Sequence, residues 1–322
     1  MKHRDAGVEF FRLTLMMGIV LLHVIGQGGY PMRGFWDLMR PCVDGFVFIS
    51  GYYGVRFSLL KMVRLCLLGV LCAMVSMALR YWINGGDDYL RDVIFALTHG
   101  YWFLWAYVIM MCFAPLLNNA VERPDVCRSS LCAILIIVFV YSYLATSPFL
   151  RGFLPVPIGL GQSGFMTLVG IYVAARLFRG SFIEKYLRNQ WALTGSICFC
   201  ALMCVAGFSH FHSPFALGLA ATTFCVARRV HPAPWVCVIV RNIAPSLFSI
   251  YLLHQTDCGY DFIGMGMKLC VDFCGLPIFL SWLCATIIIF IVCFMIDVSR
   301  RCVFAIMQRC IVCIVPERNC NS

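Results

Sequence analysis

Residues Gly7–Val24 read GVEFFRLTLMMGIVLLHV, an apolar run of membrane-spanning length that nevertheless carries Glu9, Arg12 and His23. A spanning helix takes ~20 mainly apolar residues, and an ionisable group inside one costs ~2.5–3.5 kcal/mol or more unless something offsets it. At about 3.6 residues per turn, the path from Arg12 to His23 rotates ~1100°, three turns plus about 20°. The path from Glu9 to His23 rotates ~1400°, four turns less about 40°. All three groups therefore fall on one stripe, and most of the residues between them are Leu, Met, Ile, Val and Gly. Such a stripe faces protein or water rather than lipid. The run is not a cleavable signal peptide: it is long, it carries Arg12 and His23, and no small-x-small site follows before the next polar stretch.

The rest of the chain repeats this apolar character. Of 322 residues 61% are hydrophobic and 12% charged, with a mean hydropathy of +0.86. A soluble domain carries about 25% charged residues, so lipid must be part of this chain's solvent. Ten apolar runs are predicted near Val8–Gln27, Cys42–Val55, Leu59–Leu79, Tyr101–Leu117, Leu131–Ala145, Gly164–Ala175, Trp191–Phe208, Pro214–Ala227, Ile239–Thr256 and Leu276–Ile296. The second, sixth and eighth are short, and Gly45, Gly51 and Gly54 in the second suit a helix that others approach closely. Pro148, Pro155 and Pro157 break the chain before the sixth. No internal repeat is visible. The expected fold is all-α: a polytopic membrane protein of about ten transmembrane helices in one bundle, a single domain over 1–322 with no separate soluble domain.

The net charge of +10 would point to nucleic acid in a soluble protein. Here the basic residues sit at the ends of apolar runs, which is where they meet anionic headgroups, and no nucleic-acid partner is expected. With a cytoplasmic N-terminus and ten spans, the inner segments hold most of them, including Arg56, Lys61, Arg64, Arg176, Arg179, Lys185, Arg188, Arg228 and Arg229. The outer segments hold only Arg33, Arg40, Arg80, Arg91, Arg151 and Lys268. This bias places both termini in the cytoplasm. Most of the 20 cysteines lie inside apolar runs, where they act as small soft hydrophobes. Cys310 and Cys313 form a lone CxxC without a second pair or a nearby His, so packing is favoured over a metal, and no metal is expected.

Two further ionisable groups reach the expected depth of His23. Asp44 lies one turn into the second run, PCVDGFVFISGYYG, and His254 lies near the outer end of APSLFSIYLLHQTD. A carboxylate bonded to one imidazole nitrogen fixes the tautomer and raises the basicity of the other. Each group has a plain alternative: Asp44 as a helix N-terminal residue, His254 as an interfacial ring, His23 as a histidine bonded to a carbonyl, and Arg12 with Glu9 as a snorkelling ion pair. His99, Tyr101, Trp102 and Trp105 read as an aromatic belt, and Asp297 with Arg300 and Arg301 as an inner interfacial ion pair. No HExxH, GxSxG or glycine-rich phosphate loop occurs, so the common soluble-enzyme chemistries and an obvious covalent nucleophile are missing.

At these residues the sequence resembles the membrane-bound acyltransferase family 3, bacterial enzymes that modify polysaccharides and other hydroxylated acceptors. The resemblance rests on E-x-x-R-x(10)-H from Glu9 to His23 and DGFVFISGYYG from Asp44 to Gly54, with weaker matches in WFLWAYVIMMCFAP (Trp102–Pro115) and SLFSIYLLH (Ser246–His254). It implies a multi-pass protein of the bacterial cytoplasmic membrane that moves an acyl group, usually acetyl, from acyl-CoA to a hydroxyl, with Arg12 and His23 as the essential pair. The implied partners are acyl-CoA as co-substrate, a glycan or glycolipid acceptor of the cell envelope, and membrane lipid.

The chemistry fits independently. Thioester-to-alcohol transfer needs a base near neutral pH, which His23 supplies, with Asp44 and His254 as candidate partners. Arg12 lies ~16 Å from His23 along a helix, suited to hold the phosphate end of a donor whose thioester reaches inward, with Glu9 beside it. Ser50, Tyr52 or a backbone amide are the candidates for stabilising the oxyanion. A proton-coupled transporter built on Glu9, Arg12 and His23 is the rival class, but no second half repeats that polar pattern.

Overall fold

Asp5 starts the first helix. In a computed structural model of the chain, which describes residues 5–85, 88–122, 129–135, 165–208 and 213–314, its carboxylate accepts from the Gly7 and Val8 amides at 3.0 and 3.4 Å. The side chain thus satisfies amides that the first helical turn leaves open. Helix α1 runs from Ala6 to Gln27 and closes at Gly28, whose amide donates to Val24 O. It is the hub of the bundle, touching most of the other helices.

Two short helices follow, α2 (Arg33–Met39) and α3 (Pro41–Tyr53). Pro41 opens α3, where its missing N–H costs nothing. Gly51 of α3 lies against the backbone of Tyr172, and a Cβ there would overlap that backbone and Ala175, which accounts for the glycine. Gly54 ends α3 with φ of 75°, a conformation that favours glycine. The chain then turns into α4 (Leu59–Asn84), α5 (Tyr89–Phe95) and, after a widened turn over Ala96–Gly100, α6 (Trp102–Glu122). Residues 129–135 are helical. Beyond them lie α7 (Phe165–Phe178), a single turn at Phe182–Tyr186, α8 (Gln190–Met203) and α9 (Pro214–Ala227). The chain finishes with α10 (Pro234–Ile243), α11 (Leu247–His254), α12 (Asp257–Lys268) and α13 (Ile278–Ile314). One contiguous apolar core joins these helices.

Cross-links define the two ends of the bundle. At one end Tyr172 Oη accepts from the Val55 amide (2.9 Å) and donates to Asn118 Oδ1 (2.8 Å), while Arg176 pairs with Glu122 (2.7 Å). Gly7 of α1 packs there against the carbonyls of Ala227 and Val230. At the opposite end Arg80 of α4 pairs with Asp257 (3.1 Å) and Asp261 (3.4 Å) of α12 and with Asp92 of α5 (3.8 Å). Helices α1 and α4 therefore both run from the first end to the second, while α3 and α6 run back.

Among the described residues six helices are long and apolar enough to cross a bilayer: Ala6–Gln27, Leu59–Ile83, Trp102–Glu122, Gln190–Phe208, Pro234–His254 and Ile278–Val303. Phe165–Phe178 and Pro214–Ala227 are apolar but shorter. The second predicted run is the 13-residue, largely buried α3, and most of the fifth, with the three prolines after it, lies outside the described residues. The ninth begins earlier than expected, at Pro234, and a tight turn over Ala244–Ser246 splits it around Pro245. Helices α2, α5 and α12 were not expected; each is too short or too polar to stand out as an apolar run.

The aromatic belt divides. His99 and Trp105 are exposed, but Tyr101 is fully buried and Trp102 faces the interior, because a ring at a helix start can turn inward as readily as toward lipid. The Asp297 ion pair is present: Asp297 Oδ1 accepts from Arg300 at 2.6 Å, and Arg301 lies 3.0 Å from Oδ2. The side chains of Cys310 and Cys313 lie outside the described residues.

Candidate active site

The polar stripe of α1 lines one cavity of about 990 Å³ that runs along the helix from Asp5, Glu9 and Arg12 to His23. Between them Met16, Ile19 and Leu22 give it an apolar wall. Helix α3 contributes Phe46, Ile49, Ser50 and Tyr53, α6 contributes Trp102, Phe103 and Tyr107, and α11 contributes Leu247, Phe248 and Tyr251, followed by Gln255. The residues between the charged ends thus form a passage suited to a slender, mostly uncharged group.

At one end Arg12 Nη1 donates to both oxygens of Glu9, at 3.2 and 3.3 Å. One nitrogen serves both contacts, so the rest of the guanidinium fork remains for a ligand, and 34% of the side chain is exposed. A second charged group sits near this end. Tyr52 Oη donates to Glu184 Oε1 (2.7 Å), and Arg228 Nη1 donates to Tyr52 Oη and to Glu184 Oε1 at 2.6 Å each. Burial opposes the charge on Glu184, but the Gly180 amide, Tyr52 and Arg228 together outweigh it and hold the carboxyl below the ordinary glutamate range. Tyr52 is thereby turned away from the cavity, whereas its neighbour Tyr53 lines it.

At the other end the rings of His23 and His254 lie 5.0 Å apart, tilted by 53°. His254 is fully buried behind His23, which itself lines the cavity. His254 Nδ1 is 2.7 Å from Ile250 O; a carbonyl only accepts, so Nδ1 carries the proton and Nε2 of the neutral ring is bare. That Nε2 and His23 Nδ1 are both buried without a hydrogen-bond partner among the described residues. The Tyr260 ring of α12 packs 5.9 Å from His23, and Gln255 Nε2 donates to Tyr260 Oη (3.2 Å).

The structure brings Glu9, Arg12 and His23 into one cavity and seats His254 against His23. Asp44 is not among the residues that line this cavity. Asp44 is buried in the first turn of α3, and Nδ1 of His254 is bonded to Ile250 O. The depth of a residue in a span says nothing about the direction in which its side chain points. Ser50 lines the cavity with its hydroxyl donating to Phe46 O (3.0 Å) and bonded to Tyr107 (3.2 Å). Tyr251, Gln255 and Tyr260 were not singled out from the sequence; the i,i+4 spacing of Tyr251 and Gln255 around His254 was the available signal. Among the described residues no group of three or more His, Cys, Asp or Glu is placed to hold a metal ion.

A family model described as an acyltransferase domain matches residues 5–298, from the cap of α1 into α13. Comparison with curated proteins and with solved structures gave no match. The match takes in every residue of the cavity, and the chain belongs to the acyltransferase 3 family of membrane acyltransferases.

Proposed function

We propose that the protein transfers an acyl group, in the first instance acetyl, from acyl-CoA to a hydroxyl of a cell-envelope glycan or glycolipid. The observation that carries this reading is the single cavity joining an arginine at one end to a histidine at the other. Arg12 holds the anionic end of the donor, with Glu9 fixing its guanidinium, and the pantetheine arm lies along Met16, Ile19 and Leu22. The ~16 Å from Arg12 to His23 is a distance such an arm can span.

His23 takes the proton of the attacking hydroxyl. His254 positions it: its ring, packed 5.0 Å from that of His23, limits how the His23 imidazole can turn in the cavity. Asp44 keeps a structural part in this scheme, as an acidic residue in the first turn of α3. Among the described residues the cavity wall offers no hydroxyl paired with a base, which supports direct transfer over an acyl-enzyme.

Ten crossings, both termini in the cytoplasm and the Arg12 end of the cavity facing inward belong to the same proposal. They are supported by the gathering of Arg176, Arg228 and Arg229 at that end of the bundle. Acyl-CoA would then arrive from the cytoplasm, and the acceptor from outside or laterally at the His23 end. Incubating purified protein with acetyl-CoA labelled in the acetyl group and an extract of envelope glycolipids tests the reading. Label in the extract is expected; free acetate with no labelled acceptor overturns it.

A further inference from the structure

Acyl transfer, on which this inference rests, passes through a tetrahedral intermediate whose oxygen is negatively charged, and a site that accelerates it needs hydrogen-bond donors aimed at that oxygen. The polar groups near His23 narrow the choice. Ser50 donates to Phe46 O, so the Ser50–Tyr107 bond uses the proton of Tyr107, and both hydroxyls are committed. Tyr251 differs. It lines the cavity, its ring packs 5.9 Å from that of His254, and among the described residues its buried hydroxyl has only the Phe103 amide close by, a donor that leaves the hydroxyl's own proton unused. A buried hydroxyl left in that state is costly to the folded protein unless a ligand engages it.

One helical stripe explains the placement. Tyr251 and Gln255 are four residues apart, about 40° around α11 and its final turn, with His254 beside them. Gln255 also lines the cavity, and its bond to Tyr260 Oη uses one of two carboxamide N–H groups, fixing the plane and leaving the second. Gly100 lies against the Gln255 carbonyl, holding the backbone at the same place.

We infer that Tyr251 Oη and Gln255 Nε2 are the donors that stabilise the oxyanion of acyl transfer, with Tyr260 positioning Gln255. The acceptor oxygen forms a bond to the thioester carbon as its proton passes to His23. The carbonyl π electrons move to oxygen, where the two donors meet the charge. Collapse re-forms the carbonyl, breaks the C–S bond and expels the CoA thiolate, which takes the proton from His23. Tyr251 keeps its own proton throughout.

Tyr251→Phe removes the donor and retains the ring beside Phe103 and His254. With labelled acetyl-CoA and envelope glycolipid extract, its kcat is expected to fall about 10²–10³-fold while KM for acetyl-CoA stays within about threefold. The pH profile should keep its shape, and S-ethyl-CoA, a thioether without the carbonyl, should bind the variant as it binds the wild type. Transfer within about threefold of wild type overturns the inference and leaves the acyl-transfer reading intact. So does a loss accompanied by weakened S-ethyl-CoA binding, the mark of a purely structural role. A wild type that transfers nothing overturns both. If Tyr251→Phe does not fold, Gln255→Ala carries the test: it should lose about tenfold in kcat, and adding Tyr260→Phe should cost nothing further. Additive losses, or none, overturn it.

Discussion

The imidazoles of His23 and His254, from helices more than two hundred residues apart in the chain, meet at a centroid distance of 5.0 Å, and the inner of the two has its proton fixed by Ile250 O. A neutral histidine thus stands where a carboxylate often orients a catalytic imidazole. His23→Ala should lower turnover by about 10²–10⁴-fold with donor affinity unchanged, because only proton transfer is lost. His254→Ala should lower turnover less, and His254→Phe less again, since an aromatic ring can still pack against His23. Steady-state rates with calorimetry on S-ethyl-CoA separate these effects, and equal rates in wild type and His254→Ala would remove the positioning role.

Arg12 is expected to act on binding. Arg12→Ala should weaken S-ethyl-CoA affinity about tenfold or more, and Arg12→Lys should restore little of it, because a point charge does not reproduce a bidentate fork. The weakening should shrink for a donor truncated to acetyl-pantetheine, which lacks the nucleotide phosphates. Unchanged calorimetric affinity in Arg12→Ala would leave the Arg12–Glu9 pair as an interfacial anchor.

The Tyr52–Glu184–Arg228 contact gives a pH dependence with a definite sign. The folded carboxyl of Glu184 is held below its unfolded value near 4.3, so the stabilisation is fully present at neutral pH and is lost as pH falls through the folded value. Thermal unfolding in detergent should therefore show wild type more stable than Glu184→Gln at pH 7, with the gap narrowing below pH ~4. A gap that stays constant across that range would mean the contact does not depend on the carboxylate charge.

Sidedness is testable without a purified acceptor. Reporter fusions after Gly85 and after His231 should report opposite sides of the membrane, outside and cytoplasm. Sealed vesicles of each orientation, given labelled acetyl-CoA externally, should label their own glycolipids only when the cytoplasmic face is outward. Labelling in both orientations would mean that the donor does not require the Arg12 end.

What could be read in the sequence was whatever a single helix dictates. The spacing of Glu9, Arg12 and His23 fixes their common face whatever surrounds α1, and the cavity follows that face. His254 stood out because an ionisable residue in an apolar run is conspicuous. Asp44 was equally conspicuous, but which wall of α3 it faces depends on how that helix is rotated, a property of packing that no local pattern carries. Tyr251 was hidden among apolar neighbours, where an aromatic residue reads as core, and Tyr260 rides on α12, which has too many glycines and charges to register as a span. Tyr101 was assigned outward on composition alone, while the fold turns it fully inward.

The two ends of the bundle also differ mechanically. At the Arg12 end Gly7 and Gly51 let backbones touch without intervening side chains, and such contacts resist deformation because no rotamer can absorb a shift. At the His23 end α12 is tied to α4 by Arg80 and two aspartates that remain between a third and a half exposed, the kind of contact that contributes little and yields readily. The glycine contacts at the Arg12 end are therefore stiffer than the ion pairs that join α4 to α12. If the chamber widens to admit a bulky acceptor, those ion pairs are the contacts that yield most readily, and any displacement of α12 carries Tyr260, the partner of Gln255, with it.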